Sequence, residues 1–272
     1  MNPILLHLLA STGYALVAAH LWRGMQRHAD LAGTRSFVIQ LLPLVPLALH
    51  AAVLGQSMLQ ADGLHLGFGN AVSVVIALAV LIYGIGNFFY RLEALYLLIL
   101  PVAAILSLLP IVFPPTQPLA NTHLLAFRVH LLIALLAYSL FTIASFHVLL
   151  MALVERRLHA GNVPEMLQRL PPLLAMETLL FRVIWAGFVL LTLTLASGVV
   201  YSEELFGKPA QFSHKTVFGV LSWIIFAALL AGRHGYGWRG RVAVRWTLAG
   251  FLTLVLAYIG SKFVLEVILG RG

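Results

Sequence analysis

The sequence contains no cysteine, and only 10% of its 272 residues are charged. The absence of cysteine excludes disulfide bonds, thiolate metal sites and thiol redox chemistry carried by the chain itself. The scarcity of charge excludes an ordinary soluble domain, in which about 25% of the residues are charged. What fills the chain instead is apolar, with 61% hydrophobic residues and a mean hydropathy of +0.97. This composition indicates an integral membrane protein.

Eight hydrophobic stretches are long enough to cross a hydrocarbon core about 30 Å thick. They lie at about 3 to 21, 37 to 56, 69 to 86, 92 to 113, 125 to 153, 179 to 200, 214 to 231 and 243 to 268. We therefore predict an all-α fold, a polytopic membrane bundle of eight transmembrane helices. Because the connectors are short, residues 1–272 are predicted to form a single integral membrane domain. The first stretch has no basic leader and no small-residue cleavage site, so it is predicted to be a retained helix.

The basic residues fall mainly in alternate loops, and this bias predicts the orientation. The loops predicted to face the cytoplasm hold Arg23, Arg27, Arg35, Arg91, Arg156, Arg157, Arg169, Arg233, Arg239, Arg241 and Arg245. The alternate loops lie at 57–68, 114–124 and 201–213. Lys208 is the one lysine or arginine that they contain. Both termini are therefore predicted on the outer, periplasmic side of a bacterial inner membrane. Scattered over four loops, these charges form no single patch, which argues against nucleic acid as a partner.

Two histidines, His130 and His214, each lie close to the outer start of a hydrophobic stretch. Ionisable groups at such positions are costly in lipid, so each requires a partner. One interpretation is a packing residue whose imidazole is hydrogen-bonded to a neighbouring helix. The other is ligand binding, because Arg128 and Lys215 stand beside the two histidines against the general charge bias. Two cations next to two imidazoles indicate an anionic ligand.

Haem meets the requirements of such a site. Its iron accepts axial histidine nitrogens, its ring needs an apolar slot between helices, and its propionates need nearby cations. Ala134 and Ala137 lie on the His130 face of the helix and leave room for a flat ring. Phe218 lies one turn after His214 and could pack on the ring. Since small residues also serve ordinary helix contacts, both interpretations stay open on the residues alone.

The other histidines fall into two groups. Four lie within predicted helices, and the sequence does not assign them a role: His7, His20, His50 and His147. Five lie in loops or at interfaces and are predicted to be solvated: His28, His65, His123, His159 and His234.

The second half of the chain carries four ordered segments that resemble the CcsA-type cytochrome c assembly family. They are FRVHLLIALLAYSLF at 127–141, the run at 179–198, HKTVFGVLSWIIFAALL at 214–230 and GWRGRVAV at 237–244. The resemblance covers 125–268. The short chain and the HK pair at 214–215 are similar to the smaller YpjD- or HemX-like inner-membrane branch of that family. The resemblance implies haem handling on the outer side of the membrane.

Carried over residue by residue, His130 matches a family histidine that is an axial ligand in haem-handling members. Lys215 and Trp223 match a family lysine and tryptophan, whereas His214 stands where another polar residue is usual. The tryptophan-rich WGxxWxWD loop of the cytochrome c synthases is replaced by YSEELFGKPAQFS at 201–213, and no histidine follows His234. Synthase activity is therefore not expected.

Together these features predict a protein in which His130 and His214 hold one b-type haem near the periplasmic surface. Arg128 and Lys215 would lie near its propionates, and an assembly partner or apocytochrome would approach from outside. An alternative is a membrane scaffold or regulator that kept the fold without the cofactor. A third alternative, proton-coupled transport, needs carboxylates or broken helices in the middle of the membrane. The sequence has neither, since the glutamates of the hydrophobic stretches stand near helix ends.

Overall fold

The described chain is helical apart from a two-stranded ribbon. Its first half holds α1 (Pro3–Gln26), α2 (Leu44–Met58), the ribbon strands β1 (Leu59–Gln60) and β2 (Gly63–Leu64), α3 (Phe68–Phe89), α4 (Glu93–Leu106) and the single turn α5 (Leu109–Val112). Its second half holds α6 (Leu125–His159), α7 (Leu173–Val200), α8 (His214–Tyr236) and α9 (Gly240–Val255). The chain then continues from α9 through π-helical Leu256–Gly260, α-helical Ser261–Phe263 and π-helical Val264–Ile268. We call the whole stretch from Gly240 to Ile268 the last helix.

The structure is a computed structural model that describes residues 3–26, 40–89, 93–114, 117–119, 121–160, 172–200, 202 and 214–269. Several sequence predictions fall outside these ranges. They concern the start of the second span at 37–39, the outer loop 201–213 except Ser202, and Arg27, Arg35, Arg91 and Arg169 of the predicted cytoplasmic loops.

Seven helices among the described residues are long and apolar enough to cross a membrane. The predicted class, an all-helical multi-pass membrane protein, is confirmed at this level. The second predicted span corresponds to α2, which is apolar but has 15 residues. At 1.5 Å per residue it is about 22 Å long, short of a core about 30 Å thick.

The helices pack as two groups that share one continuous apolar core. In the N-terminal group, α1 and α3 each pack against both α2 and α4. In the C-terminal bundle, α6 and α8 each pack against both α7 and the last helix, so α6 and α8 occupy opposite corners. Contacts between α3 and α6 join the two groups.

Two stacked phenylalanine rings close the centre of the C-terminal bundle. Phe141 of α6 and Phe226 of α8 are fully buried, with ring centroids 3.9 Å apart. Glycines on the other two helices make room for them: a Cβ on Gly187 would lie 3.1 Å from the Phe141 ring, and one on Gly250 would lie 2.8 Å from the Phe226 ring. The rings separate two ends of the bundle. We call the end with the first residues of α6 and α8 the outer end, after the predicted orientation, and the opposite end the inner end.

The GWRGR turn at the inner end has a conformation that needs its glycines. Gly237 and Gly240 have φ angles of +64° and +50°, in the left-handed region that favours glycine. The Trp238 ring packs directly on Gly232, where a Cβ would overlap the indole. This turn connects α8 to α9 and places the two helices side by side.

His65 is buried, so the prediction of a solvated histidine is wrong at this position. Its side chain lies against the ribbon and is 4% exposed. Its Nε2 lies 2.9 Å from Asp62, and its backbone N–H donates to the carbonyl of Met58 across the ribbon. A position in a loop does not reveal burial when the loop folds back on itself.

Candidate functional site at the outer end

His130 lies on the second turn of α6, against the outer end of α7. The imidazole is partly exposed, and its Nδ1 lies 2.8 Å from the hydroxyl oxygen of Ser197. The backbone of α7 passes close to the ring, because a Cβ on Gly198 would lie 3.5 Å from the His130 Cε1. The small side chains at 197 and 198 therefore let the imidazole lie directly on α7.

One tautomer of His130 allows Ser197 to make both of its hydrogen bonds. The Ser197 hydroxyl donates its one proton to the carbonyl oxygen of Thr194 at 3.1 Å, because a carbonyl can only accept. The Ser197 oxygen then accepts from Nδ1–H of His130. In this neutral tautomer Nε2 carries the ring's lone pair. A hydrogen bond at Nδ1 that orients the ring is also the usual companion of a metal-binding histidine.

His214 is the first residue of α8 and is exposed. Within the described ranges its side chain makes no hydrogen bond. It follows the part of the outer loop that lies outside those ranges. Because α6 and α8 stand at opposite corners, His130 and His214 belong to facing helices at the same end of the bundle. About 16 Å of helix, at 1.5 Å per residue, separates His130 from the central ring of Phe141.

The two predicted cations are also at this end. The Nε of Arg128 donates to the carbonyl oxygen of Thr122 at 2.7 Å, which ties the side chain to the loop before α6. The Nζ of Lys215 lies 5.7 Å from the ring centroid of Tyr258 on the last helix. Among the described residues, neither cation has a carboxylate within ion-pair distance. Within that part of the chain, neither Arg128 nor Lys215 forms an ion pair.

The last helix carries a line of polar side chains that was not predicted from the sequence. Tyr258, Lys262 and Glu266 are spaced four residues apart, and the Nζ of Lys262 lies 2.8 Å from Glu266 Oε1. The other carboxylate oxygen, Oε2, accepts from the backbone N–H of Phe68 at the start of α3 at 2.6 Å. Lys262 and Glu266 both act electrostatically on Lys215. The spacing of four residues is visible in the sequence and predicts that the three side chains share one face of a helix. The hydrogen bond between Glu266 and Phe68 of α3 cannot be predicted from that spacing.

Trp223, a family position in the sequence, joins α8 to α7. Its Nε1–H donates to the hydroxyl oxygen of Thr192 at 2.9 Å, and its ring stacks on Phe188 with centroids 5.4 Å apart. A second contact lies one turn nearer the outer end, where a Cβ on Gly219 would come within 3.3 Å of Leu195. The α7 and α8 backbones are thus held in register below His130 and His214.

The histidines of the N-terminal group have structural partners. His7 is 3% exposed, with its Nδ1 2.8 Å from the carbonyl oxygen of Ser107. His50 is fully buried, with its Nδ1 3.2 Å from the Tyr14 hydroxyl and its Nε2 2.8 Å from the Ser73 hydroxyl. Both ring nitrogens of His50 are therefore used by the protein.

The outer end brings imidazole side chains and two cations to the same end of the bundle. Within the described ranges no group of three or more histidine, cysteine, aspartate or glutamate side chains could hold a bare metal ion. A haem iron, by contrast, takes four nitrogens from its own ring and needs only axial ligands from protein. Fold and site together define a multi-pass membrane protein whose bundle presents histidine at one end.

Comparison with known proteins identifies the family. The model of the cytochrome C assembly protein family matches residues 38–269, and the chain belongs to this family. It is 34% identical over 177 residues to the inner membrane protein YpjD of Escherichia coli K12, which covers 63% of this chain and 65% of that relative. It is 39% identical over 88 residues to the cytochrome c biogenesis protein CcsA of Prochlorococcus marinus AS9601, covering 32% of this chain and 28% of that relative.

A third relative, an uncharacterized 28.8 kDa protein of Azospirillum brasilense, is 34% identical over 143 residues, or 52% of each chain. The chain thus matches just under two thirds of the length of YpjD and less of the others. No solved structure matches it. With seven apolar helices and an inner-membrane relative, the chain is a multi-pass protein of the bacterial inner membrane.

Proposed function

We propose that this protein binds one b-type haem at the outer end of its C-terminal bundle and handles it during cytochrome c assembly. Membership of the cytochrome c assembly family suggests haem handling in general. The observation that carries the specific proposal is the partly exposed His130 imidazole, whose Nδ1 lies 2.8 Å from the Ser197 hydroxyl oxygen. With Nδ1–H donating to Ser197, Nε2 would carry the lone pair that binds iron.

The donor set of the outer end fits haem. When bound, haem supplies an iron centre that takes axial imidazole nitrogens. His130 would be the first axial ligand, held in position by Ser197, and His214 on the facing helix would be the second. Because the chain has no cysteine, it cannot hold haem through thioether bonds to its own side chains. A haem held by this protein would therefore not be of the thioether-linked c type, and the b type is the form that we propose.

Arg128 and Lys215 would orient the propionates. Each cation lies next to one of the two histidines in sequence, and neither is neutralised by a carboxylate among the described residues. A cation and a carboxylate in a partly desolvated site form a charge-assisted hydrogen bond, which is roughly twice as strong as a neutral one. This arrangement would hold the polar edge of the ring toward the aqueous side and its apolar face toward the bundle.

Absorption spectra of the purified protein test the proposal. Protein from haem-replete cells should show a Soret band with a low-spin spectrum, and His130→Ala should abolish it. His214→Ala should convert it to a spectrum with one axial histidine. The matched control is His123→Ala, an exposed outer-end histidine outside the proposed site. Wild-type protein without stoichiometric haem would instead favour the scaffold or regulator that kept the fold without the cofactor.

An assembly partner or apocytochrome is the proposed recipient of the haem. Such a partner would supply the thiols that this chain lacks. Cross-linking from a photoreactive residue at position 123, an exposed outer-end position outside the proposed site, should capture an apocytochrome c or another assembly protein only when His130 is intact. Equal capture by His130→Ala protein would separate partner binding from haem handling.

We also propose that the chain forms one domain with eight spans and both termini outside. The apolar core that runs through both helix groups supports one domain, and the hydrophobic stretch at 37–56 in the sequence supports the eighth span. Reporter fusions after Gly272 and within 161–171 test the orientation. Periplasmic alkaline phosphatase should be active at the first site and inactive at the second, and the reverse pattern would contradict the proposed topology.

A further inference from the structure

The inner end of the C-terminal bundle contains an open cleft of about 610 Å³ between the end of α6 and the start of α9. Its charged lining is dominated by arginine, with Arg156 from α6 and Arg241 and Arg245 from α9. Among the lining residues Glu155 is the one acidic side chain, and His159 is the other titratable group. The cleft therefore carries a net positive charge even with a neutral histidine.

The three arginines have no ion-pair partner in the described part of the chain. Within the described ranges no carboxylate, including that of Glu155, lies within ion-pair distance of any of them. Other arginines at this end are paired, since Arg233 forms an ion pair with Glu177 of α7, and Arg239 lies 3.8 Å from the same carboxylate. Among the described residues, carboxylates thus pair with the arginines of the basic turn and not with those of the cleft.

The arrangement of the arginines favours a bound anion. Arg241 and Arg245 are four residues apart on α9, and like charges at this spacing destabilise a helix. Arg156 adds a third positive charge from the neighbouring helix. Guanidinium groups bind phosphate oxygens through two parallel hydrogen bonds, so one phosphate between the helices would relieve the repulsion.

The location of the cleft favours a membrane lipid as the source of such a phosphate. The 35 residues of α6 are about 52 Å long at 1.5 Å per residue, so the helix extends beyond a hydrocarbon core about 30 Å thick. Ala152 and Val244 give the cleft an apolar wall beside its arginines. Trp238 and Trp246, with ring centroids 5.2 Å apart, belong to the residue type that marks a membrane–water interface.

We propose that this cleft binds the phosphate of an anionic phospholipid headgroup in the inner leaflet of the membrane. The arginines hold the phosphate, and the apolar wall continues toward the acyl chains. Basic pockets between transmembrane helices on the cytoplasmic side recognise headgroups in this way. The site is separate from the outer end, so it does not depend on haem binding.

Lipid titration of the purified full-length protein in neutral detergent tests the site. Phosphatidylglycerol should raise Tm saturably, whereas phosphatidylcholine and inorganic phosphate at equal concentration should not. The apparent Kd for phosphatidylglycerol should weaken about fivefold for each arginine removed, in Arg156→Gln and in the double variant Arg241→Gln, Arg245→Gln. The matched control is Arg157→Gln, which removes an exposed charge next to Arg156 that does not line the cleft.

Two results would overturn the proposal. If Arg157→Gln weakened binding as much as Arg156→Gln, the effect would be one of overall charge. If inorganic phosphate raised Tm as much as phosphatidylglycerol, the cleft would bind a free anion instead of a lipid. Should the double variant fail to fold, Arg156→Gln on the other helix decides the question by itself.

Discussion

His50 and His130 occupy similar helices but very different surroundings. His50 is fully buried in the N-terminal group, and its two ring nitrogens are satisfied by Tyr14 and Ser73. His130 is partly exposed at the end of the C-terminal bundle, where a serine orients its ring beside a glycine. A histidine in a membrane helix of this protein is therefore a packing residue where other side chains enclose it. It is a candidate ligand where the bundle leaves it accessible.

The largest expected effect follows from removing the enclosed histidine. His50→Ala leaves the hydroxyls of Tyr14 and Ser73 without their imidazole partner and opens a cavity, so the free energy of unfolding should fall by about 2 to 4 kcal/mol. The haem content of the molecules that remain folded should not change. Thermal unfolding of the purified protein, followed by size-exclusion chromatography, measures the first effect, and the Soret absorbance per folded protein measures the second.

His20→Ala is the matched control, because His20 is an exposed histidine on α1. It should leave Tm close to the wild-type value. If His50→Ala were as stable as His20→Ala but lost its haem, His50 would be a haem ligand and not a packing residue.

A smaller effect is expected from Ser197→Ala, which removes the acceptor for Nδ1–H of His130. Loss of a residue that orients a metal-binding histidine typically weakens metal affinity by about 10- to 100-fold. We expect haem affinity to fall by about tenfold while Tm stays nearly constant, because Ser197 is only partly buried. Haem transfer to apomyoglobin measures the affinity. Thr178→Val, which removes an exposed hydroxyl at the other end of the same helix, should leave that affinity unchanged.

The smallest expected effect lies in the ribbon outside the spans. A hydrogen bond from His65 lowers the pKa of the Asp62 carboxyl below its ordinary value. A carboxyl with a lowered folded-state pKa contributes stability above its unfolded pKa of about 3.9 and loses it as the pH falls through the lowered value. Wild-type Tm should therefore decrease slightly more than that of Asp62→Asn on acidification below about pH 4. Because Asp62 is solvent-exposed, parallel curves would show that this contact contributes nothing measurable.

Hydropathy predicted the helical membrane fold well, because a run of apolar residues long enough to cross lipid has few alternatives. Hydropathy alone did not decide whether α2 crosses the membrane, because its described part has 15 residues. The GWRGR segment was recognised from its residues alone. The glycines of this segment are required by the local backbone, because Gly237 and Gly240 adopt left-handed conformations. A requirement of this kind is visible in the residue types of the segment itself.

Long-range contacts were the part that the sequence could not reveal. Glu266 accepts a hydrogen bond from Phe68, 198 residues earlier in the chain, and no periodic pattern reports such a pair. The burial of His65 and the enclosure of His50 by Tyr14 and Ser73 depend in the same way on how separate helices meet. The placement of His130 and His214 at one end of the bundle was predictable from topology. The orienting hydrogen bond from His130 to Ser197 was not.

Chemical rescue by free imidazole is the most direct test of haem ligation by His130. His130→Gly leaves a space for free imidazole beside Ser197 and Gly198. If His130 is the axial ligand, purified His130→Gly protein with haem should lack the low-spin spectrum and regain it on adding imidazole, while His50→Gly should not respond. A low-spin spectrum in His130→Gly without imidazole would contradict the account.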